Sequence, residues 1–358
     1  MKRIMKAKIE SDLAGAGHAT MQDVARHAGV SLKSVSRVVN REPHVSEKLR
    51  MKVEAAIADL NYIPDIAARS LAGSRTFIIG LLFDNPSPNY TMKLQAGVYR
   101  ACTEHGYHLR IDNVDSSCSP AVLESRLDAI VRNSRCDGFV LTPPLTDNPQ
   151  VLDFFDARGV RYVRIAPSVE VDRSPGVLID DEAAAGSVAR YLWDLGHRRF
   201  GLVTGPVEHG AAAKRRAGFL DMLSGLGLTE PVAEAAGGFS FEGGITAGQQ
   251  LLAAQHKPTA IFATNDDSAA GVMVACSQAG VAVPADLSLC GFDDSWIAKS
   301  VWPYLTTISQ PIEEMGHAAA TFLLDRRDSQ PALRTLQFHL VQRDSVAAPA
   351  QEKSTSVA

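Results

Sequence analysis

The chain has 358 residues, 46% of them hydrophobic, and a formal net charge of −4, values typical of a water-soluble protein with a large core and two or three domains. No apolar run approaches the roughly 20 residues needed to cross a bilayer, which argues against a membrane protein. The first 75 residues carry 13 Lys and Arg against eight Asp and Glu, a balance of +5, so the remainder carries −9. This asymmetry favours a nucleic-acid-binding N-terminus joined to an acidic body.

The N-terminal segment and the cysteines both favour a cytoplasmic protein. Residues 1–19 begin with Lys2 and Arg3 but place Glu10 and Asp12 where a signal peptide needs an apolar core, so we expect a disordered arm. The cysteines are odd in number and lack CxxC spacing, which argues against a disulfide framework or a zinc site. They are Cys102, Cys118, Cys136, Cys276 and Cys290. We expect no metal and no cofactor.

Residues 20–61 show the pattern of a helix-turn-helix. Thr20 with Asp23 predicts a capped first helix, and Gly29 ends it. Ser31 is the expected cap of a second helix, which turns Val35, Val38 and Val39 inward. The opposite face of that helix could enter a major groove, and it carries Leu32, Lys33, Ser34 and Arg37. A third helix is predicted over about residues 47–60.

A short helix is predicted over residues 65–75, between Pro64 and Gly73, with Asp65 as a possible cap. An isolated helix of this length is marginal in water. We therefore expect it to order only together with a partner helix and DNA, which would make it switchable.

From residue 76 onward, short apolar runs alternate with longer amphipathic stretches, which predicts parallel sheets covered by helices in two similar α/β lobes. The predicted strands are residues 77–83, 109–113, 138–142, 162–166, 176–179, 199–204, 260–264 and 288–292. The predicted helices are residues 90–106, 121–134, 148–159, 181–195, 211–226, 241–255 and 267–279. Ligands of such folds bind beyond the carboxyl ends of the strands. One cleft should therefore be lined by the segments after Phe83, Thr142, Thr204, Thr264 and Phe292.

Several motifs are spread over nearly the whole chain. The head and linker contain Asp-Val-Ala-Arg-His-Ala-Gly-Val-Ser, Ser-Val-Ser-Arg-Val-Val-Asn, Leu-Asn-Tyr-Ile-Pro-Asp and Ala-Arg-Ser-Leu. The body contains Leu-Gly-His-Arg-Arg, Arg-Arg-Ala-Gly-Phe, Ala-Thr-Asn-Asp-Asp, Gly-Phe-Asp-Asp and Leu-Thr-Thr-Ile-Ser-Gln-Pro. From about residue 20 to residue 346, the chain thereby resembles the LacI/GalR family of bacterial transcriptional regulators.

The resemblance implies an all-α helix-turn-helix DNA-binding head and an α/β body like that of periplasmic binding proteins, with two doubly wound parallel-sheet lobes. It implies a homodimer on a roughly two-fold symmetric, double-stranded operator. We expect the head at residues 20–64, the hinge helix and linker at 65–75, the body at 76–346 and a disordered tail at 347–358. Within the body, we expect one lobe at about residues 76–175 plus 306–330, and the other at about 176–305 plus 331–346.

The resemblance also assigns DNA contacts. The base-contacting positions are Leu32, Lys33, Ser34 and Arg37, whose chemistry suits a half-site that contains guanine. The positions that contact phosphate are Thr20, Ser31, Asn40, His44 and Ser46, while Met21 and Gln22 approach the groove rim. Leu71, beside Ala68 and Arg69, corresponds to a leucine that wedges into a minor-groove step. Without the resemblance, Arg37 reads as a solvated helix residue and Leu71 as a core residue.

Effector contacts are implied at Asn89, Tyr90, Arg215, Phe239, Asn265, Asp266 and Asp293, with Trp296 as a further stacking candidate. These residue types suit a mono- or disaccharide, because Arg and carboxylates bind vicinal hydroxyls and aromatic rings stack on a pyranose. Asp293 is equally suited to holding a strand-end turn, and Asp180 with Asp181 to capping the next helix.

Two departures from the family pattern bear on the effector. Residues 85–90 read Asn-Pro-Ser-Pro-Asn-Tyr, with an extra proline, and residues 208–213 carry alanines where relatives place hydroxyl groups. A purine or nucleoside effector therefore stays open as an alternative, as does a co-repressor instead of an inducer. A sugar that releases a repressor of carbohydrate uptake or catabolism genes from its operator is the leading expectation.

Two other classes of protein share features with this sequence. The pairs Asp266/Asp267 and Asp293/Asp294 could in principle run acid–base chemistry on a glycosidic bond, but no GxSxG, Walker or HExxH motif supports an enzyme. A transport binding protein matches the body but not the head. A C-terminal heptad helix is absent from the sequence, so we expect a dimer, with an interface that includes residues 92–100 and 271–278.

Overall fold

The computed structural model describes residues 19–39, 44–62, 75–325 and 332–350. The chain forms two compact units, Met1–Thr76 and Phe77–Ala358, which are called the head and the body below. The predicted arm up to residue 18, most of the hinge helix and the tail from residue 351 lie outside the described residues. So do four predicted DNA contacts, Asn40, Ala68, Arg69 and Leu71. No described helix is long and apolar enough to cross a membrane.

The head contains three described helices: α1 Met21–His27, α2 Leu32–Val39 and α3 Glu47–Asp59. The predicted capping box is present, because Thr20 N donates to the Asp23 carboxylate at 2.9 Å and Asp23 N donates to Thr20 Oγ1 at 3.3 Å. Gly29 follows α1 with φ at +55°, a left-handed conformation that favours glycine. Val24, Val35 and Val53, one from each helix, are fully buried and form the centre of a small core.

The first lobe of the body is built on a six-stranded sheet. Its strands are β1 Ile78–Phe83, β2 His108–Asn113, β3 Gly138–Leu141, β4 Tyr162–Ile165, β5 Gly176–Ile179 and β11 Leu333–Leu336. The order is β11-β5-β4-β3-β1-β2, and every pair is parallel. Its helices are α4 Pro88–Glu104, α5 Pro120–Ser134, α6 Pro149–Ala157 and α11 Ile312–Leu324.

The second lobe repeats this plan. Its strands are β6 Phe200–Thr204, β7 Ala233–Ala236, β8 Ala260–Ala263, β9 Ser288–Phe292, β10 Thr306–Ser309 and β12 His339–Val341. The order is β12-β10-β9-β8-β6-β7, parallel throughout except for the antiparallel pair of β10 and β12. Its helices are α7 Asp181–Asp194, α8 Gly210–Gly225, α9 Phe241–Leu252 and α10 Asp266–Gln278.

Burial explains why the central strands could be predicted. Every residue of β3, β4, β8 and β9 is buried, as expected for parallel strands covered on both faces by helices. Their apolar runs therefore stand out in the sequence. The edge strands β7 and β11 are largely exposed and carry Ala-Glu-Ala-Ala and Leu-Arg-Thr-Leu. They were not predicted, and neither were β10, β12 and α11.

The lobe boundaries expected from the sequence are wrong in three places. Residues 176–179 were expected in the second lobe, but β5 pairs with β4 in the first sheet. Residues 306–309 were expected in the first lobe, but β10 pairs with β9 in the second sheet. Residues 333–336 were expected in the second lobe, but β11 pairs with β5 in the first sheet. Hydrogen bonding between the strands decides these memberships, so the chain crosses between the lobes after β5, β10 and β11.

Candidate ligand cavity and nucleic-acid interface

A cavity lies between the two lobes, at the carboxyl ends of their parallel strands, where ligands of such folds bind. The space of this inner cavity, counted together with its open mouth, is about 400 Å³. It is lined by Asn85, Ser87, Tyr90, Pro143, Ala166, Asp181, His209, Ala211, Arg215, Phe239, Asn265, Asp293 and Gln310. Most of these residues follow the end of a strand directly, as the alternation of strands and helices predicted.

Arg215, on α8, is the central cation of the inner cavity. Its Nε donates to Asp181 Oδ1 at 2.8 Å and its Nη1 donates to the Thr264 carbonyl at 2.7 Å. The guanidinium carbon lies 3.7 Å from the centroid of the Phe292 ring, a distance suited to a cation–π contact. The side chains of Arg215 and Asp181 are only 6% and 4% exposed, so this ion pair is held rigidly inside the protein.

Asp293, directly after β9, is the second charged group of the cavity. Its Oδ1 accepts from Gln310 Nε2 at 2.5 Å and lies 3.5 Å from Arg215 Nη1. Burial raises the pKa of Asp293 to about 7, against the lowering effect of Arg215. The backbone φ of Asp293 is +111°, and a strained conformation of this kind is often found at binding sites.

Asp266 does not line the inner cavity, although it is a predicted effector contact. It is fully buried at the start of α10, where Oδ1 accepts from Thr307 Oγ1 and Oδ2 accepts from Ser295 N, each at 2.7 Å. Burial, reinforced by the charge of Asp293, raises the pKa of Asp266 to about 8. The carboxyl therefore holds the segment after β9 in place behind the cavity wall.

Asn89 and Trp296, two further predicted contacts, also lie off the cavity wall. Asn89 Nδ2 donates to Asp267 Oδ1 at 2.6 Å, and Ser87 Oγ donates to Asp267 Oδ2 at 2.5 Å. These bonds connect the first lobe to α10 of the second lobe. Trp296 lies in a short 3₁₀ turn, and its side chain points outward, with 64% of the residue exposed.

Three of the predicted effector contacts, Tyr90, Phe239 and Asn265, line the inner cavity. Tyr90 is buried, and this burial raises the pKa of its hydroxyl. Phe239 has φ at +58° and lies 5.7 Å from the guanidinium carbon of Arg215. Asn265 caps α10, because its Oδ1 accepts from Ser268 N, and its Nδ2 donates to the Phe239 carbonyl, each at 3.0 Å. Its amide thus fixes the position of the aromatic ring.

The sequence reasoning missed His209 and Gln310, and it treated Asp181 only as a capping residue. A signal was available for Asp181, which follows the predicted strand at residues 176–179, whereas Gln310 follows β10, a strand that was not predicted. His209 lies in a loop between two elements, where a single histidine carries no periodic signal. Its ring contacts Phe239 edge-on, with centroids 5.4 Å apart.

The two lobes touch closely at Gly210. A Cβ placed on Gly210 would lie 1.9 Å from Ser168 Oγ, 2.4 Å from Ser168 Cβ and 2.8 Å from Asp147 Oδ2. Ser168 Oγ is itself held by Asp147 Oδ2 at 2.6 Å. A residue without a side chain is therefore required for this approach of α8 to the loop after β4.

In the head, the outer face of α2 carries the predicted base-reading residues. Leu32 is 45% exposed, Lys33 is exposed, and Ser34 and Arg37 are half-buried. Arg37 Nη2 lies 3.5 Å from the His44 carbonyl oxygen. Val39, predicted to face inward, is only half-buried, whereas Val35 and Val38 are buried.

Three predicted phosphate contacts are helix caps. The hydroxyl oxygens of Thr20, Ser31 and Ser46 accept from backbone N–H groups three residues on, at 3.3, 3.1 and 3.4 Å. Helix N-termini attract anions, because their free N–H groups point outward. Gln22 and His44 are exposed and Met21 is half-buried.

Comparisons with known proteins agree with a helix-turn-helix head followed by a two-lobed body. Residues 20–65 match the family of bacterial regulatory proteins, lacI family, and residues 189–346 match the periplasmic binding protein-like domain. The ribose operon repressor of Escherichia coli (strain K12) is 37% identical over 331 residues, which cover 90% of this chain and 97% of the relative. The chain belongs to the LacI family.

Other LacI-family proteins are similar over comparable lengths. The HTH-type transcriptional repressor PurR of Klebsiella pneumoniae (strain 342) is 35% identical, over 92% of this chain and 97% of the relative. The crystal structure of the lac repressor dimer bound to operator and the anti-inducer ONPF has a TM-score of 0.75 and 30% identity, over 93% of this chain and 100% of that chain. This LacI-family member is therefore a DNA-binding transcriptional repressor with a ligand-binding body.

Proposed function

We propose that this repressor is released from a two-fold symmetric operator when a neutral sugar binds in the inner cavity, and that it controls carbohydrate uptake or catabolism genes. The observation that carries the proposal is the cluster of Arg215, Asp293 and Gln310 at the strand ends. It offers donors and an acceptor within a few ångströms of one another, which is the arrangement that recognises vicinal hydroxyls.

The charge balance of the cavity favours a neutral ligand. Arg215 is already paired with Asp181 and faces Asp293, so its charge is compensated and little remains for a phosphate. Tyr90 and Phe239 supply aromatic surface for a sugar ring. A purine effector is the second candidate, favoured by the relation to PurR and by the same aromatic side chains.

An enzyme is not supported by the carboxylates. Asp266 is bound by Thr307 and Ser295, Asp267 by Ser87 and Asn89, and Asp294 forms an ion pair with Arg343. Of the four carboxylates in the two Asp pairs, only Asp293 lines the inner cavity, whereas glycosidases need two carboxylates that face the scissile bond. We infer that this protein binds its ligand without chemical change.

For the head, we propose that Leu32, Lys33, Ser34 and Arg37 read bases, and that the capped helix starts at Thr20, Ser31 and Ser46 contact phosphates together with Asn40, His44, Met21 and Gln22. Leu71, with Ala68 and Arg69, is proposed as the minor-groove wedge. Exposure of Leu32 and Lys33 on α2 supports the base contacts. The cytoplasm, at the nucleoid, is the location that fits this role.

Coupling between sugar binding and DNA binding follows from a shift in the population of body conformations. Sugar binding favours one arrangement of the lobes, and in a dimer this arrangement sets the spacing of the hinge helices. The outer face of α4 carries Met92 and Tyr99, which are 67% and 62% exposed, and we propose it as part of the dimer interface. In the predicted second part of the interface, residues 271–278, only Ser277 and Gln278 are exposed.

The test is a selection of bound duplexes from a random library with the full chain, followed by titration of sugars and purines against the selected DNA. We expect an inverted repeat, bound more weakly when a sugar is added. Absence of any preferred duplex would overturn the repressor role. Tighter DNA binding with a purine would establish the co-repressor alternative.

A further inference from the structure

The two lobes are joined where the N-terminus of one helix meets the N-terminus of another. Helix α4 of the first lobe begins at Pro88 with Ser87 as its cap, and helix α10 of the second lobe begins at Asp266. Both ends carry free N–H groups and a partial positive charge, so they repel each other unless an anion lies at the junction. The carboxylate of Asp267, in the first turn of α10, supplies that negative charge.

Asp267 accepts a hydrogen bond from the other lobe on each of its oxygens. Ser87 Oγ donates to Oδ2 at 2.5 Å, and Asn89 Nδ2 donates to Oδ1 at 2.6 Å. The three residues are 7%, 3% and 8% exposed in the order Asp267, Ser87 and Asn89. Hydrogen bonds to a charged acceptor are stronger than those between neutral groups. Ser87, Asn89 and Asp267 are called the interlobe clamp below.

One turn further along α4, Lys93 makes a second connection to the other lobe. Its Nζ donates to the carbonyl oxygens of Asp294 at 2.6 Å and of Asp293 at 3.4 Å. These carbonyl groups belong to the segment directly after β9, and the Asp293 residue lines the inner cavity. The start of α4 is therefore bound both to α10 and to the segment after β9, and separation of the lobes would break both sets of bonds.

Most of these contacts lie off the wall of the inner cavity. Among the described residues, that wall includes Ser87 but not Asn89, Lys93 or Asp267. The clamp joins one protein group to another, so it favours closed lobes whether or not a ligand is bound. When a ligand binds between closed lobes, its apparent affinity depends on the fraction of molecules that are already closed.

We propose that Asp267 is a positioning residue that sets how readily the lobes close, with Ser87 and Asn89 as its partners and Lys93 as a reinforcing contact. The clamp shifts the body toward the closed arrangement before any effector binds. Its consequences for effector and operator affinity rest on the proposed function, whereas its effect on lobe closure does not.

The test is a double-mutant cycle between the lobes, made in the full chain. Asp267→Asn keeps the shape of the side chain but removes its charge and one of its two acceptor oxygens. Asn89→Asp alone sets two carboxylates against each other. The two substitutions together restore an amide facing a carboxylate, with the direction of the hydrogen bond reversed. Glu242→Gln is the matched control, because Glu242 is an exposed acid in the first turn of α9 in the same lobe.

Lobe closure is measured by hydrogen–deuterium exchange of the full chain without added ligand. The segments to follow are residues 166–170 and 206–212, which contain the contact of Ser168 with Gly210. These segments belong to neither α4 nor α10. Faster exchange there therefore reports separation of the lobes and not local damage around Asp267.

We expect exchange in these segments to be about three- to tenfold faster in Asp267→Asn, since one or two hydrogen bonds to a charged group are weakened. Asn89→Asp and Lys93→Met should change it in the same direction. The double substitution should return exchange toward the rate of the unaltered chain, and Glu242→Gln should leave it unchanged. Melting temperatures show whether each variant is folded.

Affinities then relate the clamp to regulation. Ribose, glucose and hypoxanthine are titrated by calorimetry, and a probe that binds the unaltered chain should bind Asp267→Asn about three- to tenfold more weakly, because fewer molecules are closed. The selected operator duplex, without a probe, should be bound more tightly by this variant, since the clamp and an inducer favour the same state.

The outcomes separate the clamp from the proposed function. Unchanged exchange in Asp267→Asn, or faster exchange that the double substitution does not reverse, would refute the clamp and leave the sugar-responsive repressor intact. If exchange responds as expected but neither sugar binds, or the variant binds the operator more weakly, the clamp is supported and release by a sugar is contradicted.

Discussion

Replacing Arg215 with methionine should destabilise the body strongly. The substitution keeps an unbranched stem beside the Phe292 ring but removes the donors to Asp181 and to the Thr264 carbonyl. It leaves two buried carboxylates, those of Asp181 and Asp293, without their cation. Breaking a buried pair in this way costs about 3–5 kcal/mol. At about 2 °C per kcal/mol for a unit of this size, the melting temperature should fall by about 6–10 °C.

The neighbouring residue provides a matched control. Arg216 forms an ion pair with Glu234 at 2.5 Å, but the two side chains are 49% and 31% exposed. Exposed pairs of this kind contribute about 1 kcal/mol or less. Arg216→Met should therefore lower the melting temperature by no more than about 2 °C.

The loss of stability caused by Arg215→Met should also depend on pH. The pKa of Asp293 in the fold is raised to about 7, above its value of about 3.9 in the unfolded chain. Between these values the native state holds a proton that the unfolded state has lost, so stability falls as pH rises through this window. Loss of the arginine raises the folded pKa of Asp293 further, and the deficit should be larger near pH 8 than near pH 5.

Differential scanning calorimetry of both variants at the two pH values measures these quantities directly. Asp181→Asn added to Arg215→Met should recover part of the loss, because one of the unpaired charges is removed. Equal losses for the two arginine variants, or a deficit that does not change between about pH 5 and pH 8, would refute the assignment of Arg215 as a buried ion-pair centre.

Three further predictions concern lobe contact and the head. Gly210→Ala should weaken sugar binding, measured by calorimetry, by about tenfold or more, since overpacking costs about 1–3 kcal/mol. Adding Ser168→Gly to the same chain should restore the affinity. If it does not, steric contact between these two residues is not the cause. Leu71→Ala should weaken operator binding far more than binding to random DNA in fluorescence anisotropy, and equal losses would exclude the wedge. Thr20→Ala should lower the stability of the head by about 1 kcal/mol in chemical denaturation, whereas an unchanged midpoint would mean that the cap contributes nothing.

The sequence predicted well the parts of this protein that depend on local order along the chain. Thr20 with Asp23, Gly29 and the buried valines follow from helix periodicity and capping chemistry, and the structure confirms them. The central strands β1, β3, β4, β6, β8 and β9 are apolar because helices cover both faces, so they were predicted to within a residue or two, whereas β10, with the sequence Thr-Thr-Ile-Ser, was not.

The predictions that were wrong concern strand pairing and the direction of side chains, which no local pattern in the sequence records. The sequence of residues 306–309 does not indicate whether this strand pairs with β9 or joins the first sheet. Adjacent polar residues also differ in their roles: Asp293 faces the inner cavity while Asp266 lies behind it, and Tyr90 lines the cavity while Asn89 joins the lobes. One step along a helix or turn changes the direction of a side chain, and a motif does not record that direction.

The interleaved course of the chain has a consequence for the order in which the protein matures. The first sheet lacks β11 until residue 336 is available, and the second lacks β12 until residue 341 is available. Both lobes therefore finish during the last stage of synthesis, whereas the described core of the three head helices is contributed by residues up to Tyr62. On the ribosome, a part able to recognise DNA would emerge well before the part that regulates it, since domains fold as units in the order in which they appear.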